Sequence, residues 1–373
     1  MPEPDGTPLQ VLALTGIGEV GTGTDLAAEL LAAVRRGGHR LAVGDVLVVS
    51  SKVVSKAAGL SAPAAERERV LDEQSIRLVA SRRTPRGEAR IVQSAAGPVM
   101  AAAGVDASNT APGTVLVLPT DPDAAARALR AALHAAGAPT VAVVLSDTAG
   151  RPWRTGQTDF ALGVAGMAPV DDLRGTPDRS GQLLEVTERA VVDQVAAAAD
   201  LVKGKVSGVP AALVRGLAGH VGVDDGPGAA ALLRPAGADW FRLGHVEAVR
   251  AALGVPLAGP GSVPPPSVLP EDVTARARRA VQVAAAGDPG LGTALPQDAA
   301  TLLTLLPGPP LQVRVQAPAF VCGLLTQRLL AALWAEDLTG TARTTGPPAA
   351  DEPSDESGLT VLVAVTARSA PPG

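Results

Sequence analysis

Tyrosine is absent from the 373 residues, and aromatic side chains together make up only 2%. Proteins that hold single-stranded nucleic acid stack bases on rings, so a chain this poor in them is not built for that task. No excess of positive charge compensates. Lys and Arg number 32 against 37 Asp and Glu, a net charge of −5. A broad electrostatic grip on a phosphate backbone is excluded as well. An anionic ligand must then be met by local cations, backbone N–H groups or metal ions. The single cysteine, Cys322, excludes an intrachain disulfide and a cysteine-built zinc site. It sits in the apolar run AFVCGLLTQRLLAALW, which reads as a helix holding a buried structural thiol. No uncharged run reads as a membrane span. The longest, between Arg130 and Asp147, contains His134, Gly137 and Pro139, and so reads as a helix end followed by a strand. The opening MPEPDGTPLQ has neither a basic nor an apolar stretch, so no secretory signal is expected and the expected location is the cytoplasm.

Core material is plentiful: 46% of residues are hydrophobic and 18% charged, which excludes a disordered chain. The length suggests two or three domains. Short apolar runs at 10–14, 45–51, 114–119, 140–147 and 211–216 read as strands. Residues 26–36, 121–137 and about 186–203 read as helices, the first capped by Thr24 or Asp25 and stopped at Gly37-Gly38. The charged stretch 64–83 reads as an amphipathic helix, 90–104 as a hairpin turning near Gly97-Pro98, and 147–160 as a long polar loop. The Pro/Gly-rich segment 251–269 reads as a linker. A small α+β domain at 270–373 follows, with a helix around ARARR, a second near 297–306, strands at 311–316 and 359–367, and a Pro-rich loop at 345–358. Trp240 and Trp334 read as packing residues, and the four scattered histidines as structural or surface groups.

Four segments carry chemistry. Gly16-Ile17-Gly18-Glu19-Val20-Gly21 fits the dinucleotide pattern G-x-G-x-x-G, with Asp45 further on. Thr22-Gly23-Thr24 interrupts before the helix, however, so a flexible loop whose backbone meets a nucleotide is the competing reading. Ser50-Ser51-Lys52 through Ser55-Lys56 closes a strand with hydroxyls and ammonium groups, suited to phosphate or simply to a solvated turn. Gly104-Val105-Asp106, then Ser108-Asn109, brings a carboxylate, a hydroxyl and an amide together, although such residues also build ordinary turns. The most informative segment runs from Ser146 to Asp159. There an apolar strand delivers Asp147 and Thr148, an oxygen pair suited to Mg²⁺ or Mn²⁺. Arg151 and Arg154 follow, with the fork geometry that suits phosphate or carboxylate. Together these segments point to a nucleotide- and metal-using enzyme for anionic substrates.

SSKVVSKAAG, AAAGVDASNTAPG, DPDAAARALRAAL, SDTAGRPWRTGQTDFALG, VTERAVVDQVAAAADLVKGK and VPAALVRG, in that order, resemble the coenzyme F420-0:L-glutamate ligases, or γ-glutamyl ligases, and the actinobacterial form above all. The resemblance spans about 10–247. It implies an α+β fold peculiar to that family, with mixed sheets and flanking helices, over a domain at 1–250. It also implies a cytoplasmic homodimer that joins L-glutamate to F420-0 with GTP as co-substrate, two divalent cations (Mg²⁺ or Mn²⁺) and K⁺. By motif, Asp106, Asp147 and Thr148 match metal positions. Ile17, Gly18, Glu19, Val20, Ser51, Lys56 and Asn109 match GTP positions. Gly204, Lys205 and Pro210 fall in a nucleotide-binding loop. Arg151 and Arg154 are the expected clamps on the substrate's phosphodiester or carboxylate. No nucleic acid or membrane partner is implied.

Three features depart from the family pattern. Lys205 stands where archaeal relatives have a metal-ligating Gln or Glu. Asp178-Arg179-Ser180-Gly181-Gln182-Leu183-Leu184 replaces a pattern of the form D-x-Y-G-N-E-L. Gln194 stands where an acidic residue is usual. A GTP-binding homologue with reduced or altered ligation is therefore a competing reading, and a nicotinamide-dependent oxidoreductase resting on Gly16, Gly18 and Gly21 is another. The tail lacks the Arg-rich opening of the flavin-binding domain that actinobacterial relatives often carry.

Overall fold

The computed structural model describes residues 8–84, 87–287, 295–345 and 358–368. In chain order its elements are β1 (Gln10–Ala13), α1 (Leu26–Arg36), β2 (Val46–Ser50), α2 (Ser51–Ala57), β3 (Ser61–Pro63), α3 (Arg67–Glu73), β4 (Ser75–Thr84), β5 (Gly87–Ser94), β6 (Val99–Ala101), β7 (Thr114–Leu116) and α4 (Pro122–Ala135). There follow β8 (Ala142–Arg151), β9 (Arg154–Ala165), β10 (Val170–Asp172), β11 (Glu188–Ala190), α5 (Val191–Lys203), β12 (Ala211–Arg215) and α6 (His245–Ala252). The chain ends with α7 (Val273–Ala285), β13 (Leu303–Leu306), β14 (Leu311–Ala317), α8 (Ala319–Ala335), β15 (Leu338–Thr344) and β16 (Leu359–Ala367).

The chain forms two compact units, Met1–Ile76 with Gln93–Asp239, and Arg77–Val92 with Trp240–Gly373. The second unit thus begins before the boundary expected at 250 and takes in most of β4 and β5. The stretch 251–269 is not a free linker. Val255 and Val263 are buried in the second unit's core, and Arg250 donates to the carbonyls of Val263 and Pro264 at 2.8 Å each.

The first unit is built on a mixed five-stranded sheet in the order β1-β12-β2-β8-β9. Only β2 and β8 run parallel; each other neighbouring pair is antiparallel. Both parallel strands are continuous apolar runs because both their faces are covered. Leu47, Val49, Val143 and Leu145 pack with α1 and α4 on one face. Val46, Val48, Val144 and Val164 pack with α5 on the other. This antiparallel setting overturns the dinucleotide reading: the glycine loop follows β1, an edge strand with a single antiparallel neighbour, rather than the inner strand of a parallel sheet.

Asp25 and Asp121 cap α1 and α4, accepting from Ala28 N at 3.0 Å and Ala124 N at 2.8 Å. Asp123, buried, accepts from the N–H groups of Val164, Ala229 and Ala230 at 2.8, 2.7 and 3.1 Å. That carboxylate lies where a side chain on Gly228 would fall, and Gly228 has φ +85°. The hairpin β8–β9 carries a bulge. Leu145 faces Gly163 and Ser146 faces Ala161, which leaves Leu162 without an opposite residue. Leu162 packs instead with Met100 and Leu118.

Several expectations are corrected. The helix expected over 64–83 ends at Glu73, and Ser75–Thr84 is strand, because Ile76, Leu78 and Ala80 begin an alternation that suits sheet. The polar loop expected over 147–160 is the outer half of the β8–β9 hairpin, whose exposed polar residues conceal its strand character. Ser51–Lys56, read either as a phosphate-suited strand end or as a solvated turn, lies in the short helix α2. Near 297–306 a turn leads into β13, paired with β14, in place of a helix. Trp240 is 90% exposed rather than packed. Trp334 is half exposed, with His245 edge-on and the Arg368 guanidinium 5.1 Å over its ring. The Pro-rich loop at 345–358 lies almost wholly outside the described residues.

The second unit centres on an antiparallel sheet in the order β13-β14-β16-β15. Val313, Val315, Val361, Val363 and Val365 pack with α7 and α8, and Cys322 is buried among them. Arg279 is buried too, and its guanidinium holds Glu271 and Glu336 at 2.6 to 2.9 Å.

Candidate active site

A cavity of about 600 Å³ opens in the first unit, where β1 and β2 end, β12 begins and β8 runs on past its pairing with β2. Its walls come from segments far apart in sequence: Ile17 to Val20 after β1, Lys52 and Lys56 on α2, Asn109 to Ala111, Asp147 and Thr148 on β8, and Lys203 at the end of α5 with Gly204, Lys205 and Gly208 to Pro210 after it. The crevice at the carboxyl ends of a parallel pair is a common place for ligands, because strand ends and helix termini leave polar backbone groups there.

Successive residues of β8 point to opposite faces, so Asp147 and Thr148 have different partners while both line the cavity. Asp147 turns toward α2, where the Ser51 hydroxyl donates to its Oδ1 at 3.1 Å. Burial pushes the Asp147 carboxyl up to about 6, against the pull of the Ser51 hydroxyl, the Thr148 N–H and the Lys52 ammonium, while Asp159 adds a further push. A carboxylate that is costly to ionise and lines a cavity is ready for a cation. Thr148 turns to the other face and donates to Asp159 Oδ1 at 2.7 Å. The Lys203 ammonium reaches Asp159 Oδ2 and Ser146 Oγ, each at 2.6 Å, and Ser146 donates to Asp159 Oδ2 at 2.8 Å. Burial alone would raise the Asp159 carboxyl, but Lys203 and the two hydroxyls hold it below its ordinary value. Lys205 donates to Thr148 Oγ1 at 3.1 Å.

Lys56 pairs with Glu19 at 2.5 Å. Lys52 pairs with Asp106 and Ser108. Burial works against ionisation of Asp106, yet Lys52 and the Ser108 donors hold its carboxyl below the ordinary range. Asn109 has φ +55°, in the left-handed region that Asn tolerates.

Of the residues singled out in the sequence, Ile17, Gly18, Glu19, Val20, Lys56, Asn109, Asp147, Thr148, Gly204, Lys205 and Pro210 all line this cavity. Ser51 joins it through Asp147, and Asp106 through Lys52. Arg151 and Arg154 do not line it. They face each other at the exposed tip of β8–β9, beside Trp153. Ser180, Gln182, Leu183 and Gln194 are exposed and also outside the lining. Lys52, which belongs to the segment read as suited to phosphate, lines the cavity too, and sequence reasoning gave no role to Lys203 or Asp200, which also line it. For Lys203 a signal exists: Val192, Val195, Ala196 and Ala199 form the buried stripe of α5, and Lys203 continues it.

Among the described residues no three His, Cys, Asp or Glu side chains cluster as a self-contained metal site. Asp147 and Thr148 nevertheless suit a Mg²⁺-type ion, which is commonly held by one or two carboxylates together with substrate phosphates.

A family model described as F420-0:Gamma-glutamyl ligase matches residues 16–216. The chain is 38% identical over 259 residues to the coenzyme F420:L-glutamate ligase of Methanothermobacter thermautotrophicus, a match covering 63% of this chain and 99% of that protein. Proteins of the same name from Natronomonas pharaonis and Halobacterium salinarum are 36% and 37% identical over 228 residues, covering 56% of this chain and 86% and 87% of theirs. No helix among the described residues is long and apolar enough to cross a membrane.

Proposed function

The chain belongs to the F420-0:gamma-glutamyl ligase family, and from that premise we propose that it joins L-glutamate to coenzyme F420-0, with GTP as co-substrate. One observation carries the reading: four distant segments with nucleotide-suited or metal-suited residues meet around a single cavity at Asp147 and Thr148.

Amide formation in water needs an activated carboxylate. The γ-phosphoryl group of GTP passes to the F420-0 carboxylate, forming an acyl phosphate and releasing GDP. The glutamate amine attacks the acyl carbonyl, phosphate departs and the amine loses its proton. The first step brings two anions together, and Lys52, Lys56 and Lys205 supply local positive charge at the cavity wall. Asp147 and Thr148 would hold a divalent cation, Mg²⁺ or Mn²⁺. When bound, it offsets phosphate charge and steadies the transferring group. Asp106 is the proposed ligand of a second cation once Lys52 turns from it to phosphate. K⁺ is carried over from the resemblance without an assigned residue. Arg151 and Arg154 are proposed to meet the substrate's phosphodiester or carboxylate from the hairpin tip, and the working form is proposed to be a homodimer.

The test is a product assay by mass spectrometry with purified chain, F420-0, L-glutamate, GTP, Mn²⁺ and K⁺. A ladder rising by single glutamyl increments is expected. Its absence, with a relative active in parallel, would overturn the reading.

A further inference from the structure

Ser146, Thr148, Asp159 and Lys203 form one hydrogen-bond chain on the α5 side of the sheet. The side chains of Lys203 and Asp159 are each 5% exposed. An ionised carboxylate only accepts, so each of its three partners must donate. Ser146 and Lys203 give protons to Oδ2, and Thr148 gives its proton to Oδ1. A threonine hydroxyl has one proton. With that proton committed to Asp159, both oxygen lone pairs are free to accept, and the Lys205 ammonium at 3.1 Å uses one of them. Without Lys203 the Asp159 carboxylate would lose the donor that fixes its plane, and nothing would hold its Oδ1 in place to accept from Thr148. The threonine proton could then face the cavity, where it would repel a cation. A buried ion pair that served only to bind elements together would have no need to end on a hydroxyl in a cavity wall.

Resting on the function proposed above, we infer that Lys203 is a positioning residue. Through Asp159 it holds the Thr148 hydroxyl with its lone pairs toward the cavity, as an oxygen ligand for the divalent cation.

The test is Mn²⁺ binding to the full chain with GTP and without F420-0, read from the electron paramagnetic resonance of free Mn²⁺ so that no turnover enters. Lys203→Met is expected to weaken Mn²⁺ binding by about 10- to 100-fold, the usual effect of losing a partner behind a ligand. Thr148→Val is expected to do the same. The double variant should bind no worse than the weaker single variant, since both changes remove one contribution. Lys203→Arg should recover part of the loss. Unaltered binding in Lys203→Met, or losses that multiply in the double variant, would overturn the inference while leaving the ligase reading intact. A wild-type chain that binds no Mn²⁺ with GTP would overturn the metal reading, and the inference with it. Thermal melts check folding. If Lys203→Met does not fold, Asp159→Asn takes its place: its amide can donate to Thr148, so a folded Asp159→Asn with wild-type Mn²⁺ affinity would also overturn the inference.

Discussion

Each unit buries a cation among carboxylates, and the two networks end differently. In the first, Lys203 neutralises Asp159, and the chain of bonds runs on to Thr148 in the wall of a cavity of about 600 Å³. In the second, the Arg279 fork occupies all four carboxylate oxygens of Glu271 and Glu336. The space beside it is about 30 Å³, room for water and nothing larger. The same residue types thus serve two purposes. A network that closes on itself holds elements together. One that ends on a hydroxyl facing open space has a group left over for a ligand.

The sharpest way to break this comparison is through the open site. Asp147→Ala is expected to lower ligation by more than about 100-fold, the scale of losing a principal electrostatic group, with little change in thermal stability. A near-normal rate in the mass-spectrometric assay would remove the basis for calling the first network functional. Next comes Arg279→Met, which leaves the buried Glu336 with only Arg250, at 3.7 Å, and the partly buried Glu271 without its close cation. A loss of about 3–5 kcal/mol in the second unit's denaturant transition is expected, as for other broken buried pairs. Folded Arg279→Met protein that has lost ligation would contradict the division of roles.

Opposite pH dependence sharpens the contrast further. Burial raises the Glu271 carboxyl, but the Arg279 contacts outweigh it and hold the group below its usual range. Its stabilisation is therefore complete above the ordinary glutamate value of about 4.3 and is lost as pH falls through the folded value. Glu271→Gln should destabilise at pH 7, and the deficit should shrink in strong acid. On the first unit's α5, burial raises the Asp193 carboxyl against the Ala161 N–H bond. Its ionisation costs stability as pH rises from the unfolded value, about 3.9, through the higher folded value. Asp193→Asn should be neutral in acid and mildly stabilising at pH 7. Melting curves across pH for both variants decide the matter, and parallel slopes would refute the assignment. The smallest effects belong to the caps. Asp121→Ala in the first unit and Asp272→Ala in the second each remove an acceptor for a helix N–H, and each is expected to cost about 1 kcal/mol in chemical denaturation. Equal costs would show that the units differ in their buried networks rather than in helix chemistry.

Much of the site was legible in sequence because its parts are short polar interruptions in apolar runs. Asp147 and Thr148 follow four apolar residues of β8 and Ser146, and Ser51 and Lys56 follow the apolar run of β2 and Ser50 in the same way. The long hairpin was not legible. From Thr148 to Thr158 both strands stand away from the core, so no apolar alternation marks them. The second half of 64–83 was misread because Arg77, Arg82 and Arg83 mask the strand pattern of Ile76 and Leu78. Lys203 was overlooked because a lysine at a helix C-terminus has an ordinary explanation in the helix dipole. Only its place on the buried stripe of α5 distinguishes it.

The bulge at Leu162 has a consequence for how this hairpin can vary in length. Side chains alternate across a strand, so parity decides which face each residue serves. Asp159 meets Thr148 on the α5 side because the bulge takes Leu162 out of the register; paired regularly opposite Ser146, Leu162 would shift Asp159 to a place opposite Ala149. Paired insertions nearer the tip, one in each strand, leave that parity untouched. A residue added between Asp159 and Ala161, with no second bulge to absorb it, would turn Asp159 to the opposite face, away from Lys203, with every site residue still present in the sequence. Viable length variants of this hairpin should therefore add or lose residues toward the turn and keep the spacing from Asp159 to Ala161.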